Sequence, residues 1–235
     1  MKVVTVYFDE KPIYRKLKEI FVNSYREVMP GTELVILEPG KQKRKKYNHK
    51  LDTAVGFITA ANYVIQQGGS CIVVDIDMLW IKSVLDVFKQ EFDLAVTVRD
   101  CKAKYNTGFW VYTPHARKAV VQWKVFTDYY AENLDRLHDE IWQHGGIDQI
   151  ALHDTIKTSP ELKVLELPCR EWNAEQTTWN EVDGSTRLIH IKSKLRQAVG
   201  GKDIDDPVIN RMAKTALKYT EETYAKKKDK KSADN

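Results

Sequence analysis

Apolar positions along this chain switch between the spacing of strands and the spacing of helices. The opening run Val3-Val4-Thr5-Val6-Tyr7-Phe8-Asp9 is β-branched and apolar, and reads as a first strand. Ile13, Leu17, Ile20, Phe21, Tyr25 and Val28 then recur at helical spacing until Pro30-Gly31 stops the helix. Glu33 to Leu37 predicts a short strand, closed by Pro39-Gly40. After a basic loop, Leu51, Ala54, Val55, Ile58, Ala61 and Ile65 share one face of a helix that ends at Gly68-Gly69. The unbroken run Cys71-Ile72-Val73-Val74 predicts a buried strand. Strand and helix alternating in this order imply a parallel sheet with right-handed crossovers.

The second half is less regular. Asp93 to Val98 and Phe109 to Tyr112 predict strands around a loop from Arg99 to Thr107. Thr113-Pro114 reads as an N-cap followed by proline at the first helical position, opening a helix that runs past Trp123 and Phe126 towards Leu134. A shorter helix covers Ile147 to His153, and Lys163 to Leu167 and Arg187 to Ile191 have strand character. Asp206-Pro207 opens a last helix with Ile209, Met212, Ala213, Ala216, Leu217 and Tyr224 as its packing stripe. There are no internal repeats. The expected organisation is one α/β domain over 1–205, a C-terminal helix packed on it over 206–225, and a basic tail over 226–235.

Composition narrows the class. With 235 residues, 43% hydrophobic and 30% charged, the chain suits one large soluble domain. No apolar stretch approaches the ~20 residues of a membrane span, and the first residues read as a strand rather than a signal peptide. Cys71, Cys101 and Cys169 are far apart and form no zinc or disulfide spacing, so a reducing, cytoplasmic setting is expected. The formal charge of +4 gathers in two places, Lys41 to Lys50 and Lys226 to Lys231. Without its tail the body is close to neutral, which argues against a nucleic-acid binder. The tail itself reads as a solvated end, with weak contact to an anionic surface as the alternative.

Asp75-Ile76-Asp77 is where chemistry enters. Two carboxylates one residue apart leave a buried strand at the end where an open α/β sheet builds its ligand crevice. Alternation along the strand starts both on one face, and like charges so close call for a cation. A divalent metal held by carboxylates and by substrate phosphates is the chemistry that most often needs this.

Three further landmarks follow in order: Asn106-Thr107-Gly108-Phe109, then Gly146-Ile147-Asp148-Gln149, then His190 with Lys192, Lys194 and Arg196. From about Lys2 to Arg196 the chain resembles the nucleotide-diphospho-sugar transferases of the GT-A fold. The resemblance implies a mostly parallel, Rossmann-like central sheet flanked by helices, and transfer of a sugar from a nucleotide diphosphate sugar, UDP-sugars being commonest. The acceptor is a glycan, lipid or protein.

It also implies residue roles. Asp77 binds the metal, Asp75 reaches the ribose hydroxyls, the metal or both, and His190 supplies a third ligand. A mixed oxygen and imidazole set suits Mn²⁺, with Mg²⁺ as the alternative. Lys194 first, then Arg196, faces the diphosphate; Lys192 and Lys194 share a side with His190 if that segment is extended. Many relatives carry glycine where this chain has Ser193. Asn106, Thr107 and Gly108 bind the donor sugar, Asp148 takes its hydroxyls, and Gln149 lies beneath the anomeric carbon. Asn-Thr-Gly followed by Asp-Gln resembles the retaining branch, in which the leaving phosphate helps deprotonate the acceptor; inversion would need Asp148 or Asp100 as base. Tyr7, Phe8 and Asp9 meet the nucleotide base, Lys46 and Lys50 attract phosphate from the rim, and Trp172 and Asn173 line the acceptor side.

Two other classes remain. A sugar-nucleotide or glycan-binding module would keep the fold without turnover. A haloacid-dehalogenase-type phosphatase would carry Asp-x-Asp on its first strand and a hydroxyl two residues beyond, where this chain has Leu79.

Overall fold

A computed structural model describes residues 1–8, 12–39 and 49–220, with the backbone but not the side chains of His49 and Lys50. The expectations for Asp9, Lys46, the Lys50 side chain, Tyr224 and the lysine tail therefore lie outside the described residues.

The chain runs through β1 (Lys2–Val6), α1 (Pro12–Val28), β2 (Glu33–Leu37), α2 (His49–Gln67), β3 (Cys71–Val74) and β4 (Met78–Trp80). It continues with β5 (Leu94–Val98), β6 (Tyr105–Tyr112), α3 (Arg117–Glu132), α4 (His138–Gln143) and α5 (Ile147–Thr158). Last come β7 (Val164–Pro168), α6 (Cys169–Trp172), β8 (Leu188–His190), α7 (Ser193–Val199) and α8 (Pro207–Leu217). The chain divides into two compact units interleaved in sequence. One comprises Met1–Phe8, Thr32–Asp75 and Val87–Pro168; the other takes the described residues of Asp9–Gly31, Ile76–Asp86 and Cys169–Asn235.

The first unit holds a six-stranded sheet in the order β2-β1-β3-β6-β5-β7. β1 is parallel to β2 and β3, β5 is parallel to β7, and β6 is antiparallel to both neighbours. The turn from β5 to β6 is too short for a crossover, so β6 must reverse direction. The rest of the sheet is parallel, as the alternating pattern predicts. Its core gathers Phe57 from α2, Trp110 from β6 and Trp123 from α3, with ring centroids 4.1 Å apart for Phe57–Trp123 and 5.2 Å for Trp110–Trp123. Burying rings of this size contributes on the order of 2–3 kcal/mol each.

Two boundaries differ from the pattern. β6 begins at Tyr105, so Asn106 to Gly108 lies within a strand rather than in the preceding loop. Thr113 stands at the N-cap of a 3₁₀ helix over Pro114–Ala116 that comes before α3, but its side chain makes no capping bond and its hydroxyl donates instead to the Asp93 carbonyl at 2.9 Å.

The second unit pairs β4 antiparallel with β8, with Met78 opposite His190, Leu79 opposite Ile189 and Trp80 opposite Leu188. The α1 residues Phe21 and Tyr25 set their rings edge-on to Trp80 at 5.8 and 5.3 Å. The predicted stripe of the last helix is buried through Ile209, Met212, Ala213 and Ala216. Asp206 caps it by accepting from the Val208 and Ile209 amides at 2.9 and 3.1 Å. No described helix is long and apolar enough to cross a membrane.

Candidate functional site

The acidic triplet is a turn between two sheets. At Asp75 the chain leaves β3, and at Met78 it enters β4. The Asp75 amide still donates to the Gly108 carbonyl at 2.9 Å, and the Asp77 carbonyl accepts from Ile191 at 2.7 Å. These bonds fix both ends of the turn. Asp75 is exposed, whereas Ile76 and Asp77 are buried. The pairing of β4 with β8 sets His190 beside Asp77, and one ligand atom from each of Asp75, Asp77 and His190 lies within 4.8 Å of the others.

Asp77 is held from two sides. Its Oδ1 lies 3.0 Å from His190 Nε2, and its Oδ2 accepts from the Arg196 guanidinium. Burial works to raise its pKa, but His190, then Arg196 and Lys192, outweigh that and hold the carboxyl well below the usual range. Burial pushes the His190 imidazole down, against the pull of Asp77.

Asn173 decides which way the imidazole works. It follows α6 and is fully buried, with Oδ1 3.1 Å from His190 Nδ1. An amide oxygen there accepts, so Nδ1 carries a hydrogen, and Nε2 is turned to Asp77, to which it donates while the ring is charged. Once neutral, the ring offers its Nε2 lone pair beside a carboxylate oxygen 3.0 Å away, an arrangement that fits a shared cation. Two carboxylates and an imidazole with its outer nitrogen anchored are thus a donor set suited to a divalent ion. Asn173→Ala is expected to weaken Mn²⁺ binding by about 10–100-fold, while Asn173→Asp keeps an acceptor and stays near wild type. A Mn²⁺ titration giving equal affinity for the alanine variant would remove this role.

A second cluster lies within the first unit, built on a bulge. The β5–β6 register jumps from Val96 opposite Trp110 to Thr97 opposite Asn106, so Thr107, Gly108 and Phe109 leave the ladder. The buried Thr97 hydroxyl closes the gap by donating to the Asn106 carbonyl at 2.5 Å. Asn106 Oδ1 accepts from the Gly108 amide at 3.1 Å, and its Nδ2 is buried without a partner among the described residues. Thr107, pushed out by the bulge, donates its hydroxyl to Asp148 Oδ2. Gly108 carries the carbonyl that meets Asp75, so the bulge links this cluster to the start of the acidic turn.

Asp148 and Gln149 open α5. Asp148 is buried, its carbonyl accepts from Trp123 Nε1 at 2.8 Å, and burial raises its pKa, the Thr107 hydroxyl only partly opposing this. Gln149 Oε1 accepts from Arg99 at 3.0 Å. Gly145 permits this fold-back: its φ is +90°, and a Cβ there would come within 2.7 Å of Gln149 Oε1.

Solved structures with this arrangement of elements are glycosyltransferases. One is a glycosyltransferase involved in the glycosylation of the major capsid of PBCV-1, at TM-score 0.58 and 10% identity over 86% of this chain and 98% of that one. A second is the galactosyltransferase LgtC in complex with donor and acceptor sugar analogues, at TM-score 0.57 and 14% identity over 92% of this chain and 95% of that one. An active-site mutant of LgtC matches at TM-score 0.55 and 10% identity, covering 94% and 96%. The chain has the GT-A fold. No protein-family model matches the sequence, and no curated protein matches it.

Within this GT-A chain the expected site residues fall into three sets. Asp75, Asp77 and His190 come together, and so do Asn106, Thr107, Gly108, Asp148 and Gln149. Of the base-side residues, Tyr7 is buried, and Phe8 is half-buried with its ring edge over Gly56 in α2. The third set is displaced. The segment after His190 is not extended, because α7 starts at Ser193. Lys192 pairs with the buried Glu175 at 2.8 Å, Lys194 is exposed on the helix, and Arg196 reaches Asp77. A helix turns i and i+2 apart, so the alternation expected for Lys192 and Lys194 is lost. Trp172 is buried under the Arg187 guanidinium, which lies 4.4 Å from its ring centroid, and Asn173 is spent on His190, so neither presents a surface to an acceptor.

Sequence reading missed Thr97, Arg99 and Tyr14, whose roles depend on partners far along the chain. It did notice Ser193, and that residue has a φ of +49°. A side chain in this left-handed region costs roughly 1 kcal/mol. Ser193→Gly should therefore stabilise by about 0.5 kcal/mol after glycine's own entropy, raising Tm by roughly 1–2 °C. A lower Tm in thermal denaturation would show that the serine is not strained.

Proposed function

We propose that this chain is a metal-dependent glycosyltransferase that moves a sugar from a nucleotide diphosphate sugar, a UDP-sugar first, to a glycan, lipid or protein acceptor with retention. The observation that carries it is Asp75, Asp77 and His190 converging with the imidazole anchored by Asn173. When bound, Mn²⁺, or Mg²⁺ in its place, would offset the charge of the departing diphosphate. The remaining roles belong to the chain's own side chains.

Asp77 and His190 hold the ion, and the exposed Asp75 reaches the ion or the ribose. Asp148 accepts from donor-sugar hydroxyls, with Thr107 fixing the carboxylate. The unpartnered Asn106 Nδ2 supports this assignment, because a buried donor calls for an acceptor and a sugar hydroxyl provides one. Gln149, steadied by Arg99, takes the position beneath the anomeric carbon. Arg196 and Lys194 serve the diphosphate, and Phe8, with Tyr7 and Asp9, serves the base. Retention rests on the order Asn-Thr-Gly then Asp-Gln.

The test is a panel of nucleotide sugars with Mn²⁺, read by thermal shift and by release of free nucleotide. At least one donor should raise Tm and be slowly hydrolysed only with the ion present. Stabilisation with no product would favour a binding module, and no response to any donor would end the proposal. The configuration of the first-formed sugar, read by proton NMR, decides retention against inversion.

A further inference from the structure

Arg196 is attached to the carboxylate that the ion is expected to need. Its guanidinium donates to Asp77 Oδ2 while Oδ1 faces His190, so both oxygens are engaged. Nε donates to the Ile191 carbonyl at 3.2 Å, one terminal nitrogen donates to the Tyr14 hydroxyl at 3.2 Å, and the guanidinium lies 5.4 Å from the Tyr14 ring centroid. The two partners differ in exposure: the Asp77 side chain is 10% exposed and that of Arg196 is 26% exposed. The carboxylate is the more deeply buried partner, and the arginine side chain is the more accessible one.

We propose that Arg196 is an internal counter-ion that opposes the metal at Asp77 and is drawn off by the phosphates of the ligand. This rests on the metal-dependent reading above and deepens it. Without an ion, a buried carboxylate needs a positive partner, and Arg196 supplies one. When a divalent cation joins Asp77 and His190, a fixed positive charge on the same carboxylate repels it. That sign holds whether the guanidinium stays on Oδ2 or swings away. A diphosphate reverses the balance, since a planar guanidinium forks onto phosphate oxygens as well as it does onto a carboxylate. Ion and nucleoside diphosphate then each favour the other, and the coupling is reciprocal. The chain would bind the ion weakly alone and firmly together with its donor. Arginine suits this exchange better than lysine, because it cannot relieve the conflict by losing its proton.

The experiment measures Mn²⁺ binding directly, from the electron paramagnetic resonance signal of the free aquo-ion, on wild type, Arg196→Gln and Arg196→Lys. Binding of uridine diphosphate is measured in parallel by calorimetry with and without Mn²⁺. Arg196→Gln should bind Mn²⁺ alone about tenfold or more tightly than wild type, and Arg196→Lys should stay within a few-fold of it. The gain in uridine diphosphate affinity produced by Mn²⁺ should shrink in the glutamine variant. Its Tm should be lower than wild type without Mn²⁺ and rise more on adding it. If the glutamine variant does not fold, Arg196→Met keeps the stem against Tyr14 and carries the same expectation. Wild type binding Mn²⁺ with Arg196→Gln binding it no better would overturn the counter-ion role and leave the metal-dependent reading standing. Failure of every form to bind Mn²⁺, with or without uridine diphosphate, would overturn both.

Discussion

Asp77→Asn is expected to lower Mn²⁺-dependent donor hydrolysis by about 10³-fold in kcat, close to 4 kcal/mol of transition-state stabilisation. The substitution keeps the shape of the side chain and removes the charge that His190 and Arg196 face. Stability should fall as well, because Arg196 loses its anionic partner; breaking a buried pair costs about 3–5 kcal/mol, and the partial exposure of the Arg196 side chain argues for less. The pH dependence separates the two effects. Asp77 titrates below its unfolded counterpart, so its contribution is complete above the ordinary carboxylate range and is lost only as pH falls through the depressed folded value. The part of the wild-type advantage in Tm that belongs to the Asp77 carboxylate should thus fade only at acid pH, below the ordinary carboxylate range. Hydrolysis near the wild-type rate in a folded Asp77→Asn protein would remove Asp77 from the chemistry.

Asp148→Asn should separate activity from stability in the opposite sense. Losing the carboxylate proposed to meet the donor sugar is expected to cost about 10²-fold in turnover. The folded protein should nevertheless become more stable at pH 7. Burial raises the Asp148 pKa above its unfolded value, so between the two the folded state holds more protons and stability falls as pH rises. Above the raised folded value the whole cost of a buried charge is present. An amide in its place still accepts from Thr107 and carries no charge. The Tm excess of Asp148→Asn should therefore grow as pH rises and disappear below about pH 4, where the wild-type carboxyl is protonated in both states. Unchanged turnover would remove the sugar-binding role. A lower Tm at pH 7 would show that the carboxylate stabilises its surroundings as an anion.

The parts of the site that sequence revealed are those set by local chain. Asp75 and Asp77 stand two residues apart at the end of a continuous apolar run, and their proximity needs nothing beyond a strand ending in a turn. Asp206 capping α8 was visible for the same reason, since its partners lie two and three residues away. The shared side expected for Lys192 and Lys194 held only for an extended segment, and Ser193 at positive φ turns the chain into α7 instead. Arg196 rather than Lys194 then meets Asp77. Asn173 was read as acceptor-facing from its type and from the tryptophan before it, yet both are buried by contacts that no local pattern encodes.

The sequence by itself determined the first three strands and the two helices between them, the parallel opening of the sheet, the acidic turn and the three later landmarks. These follow from periodicity, turn residues and apolar runs, which act over a few residues. Only the tertiary structure decided that β6 runs antiparallel with a bulge, that His190 is oriented by Asn173, and that Arg196 occupies Asp77. Each of those depends on side chains 9 to 119 positions apart in sequence. Register between distant strands and the packing of one buried polar group against another set such contacts, and neither leaves a spacing that can be read along the chain.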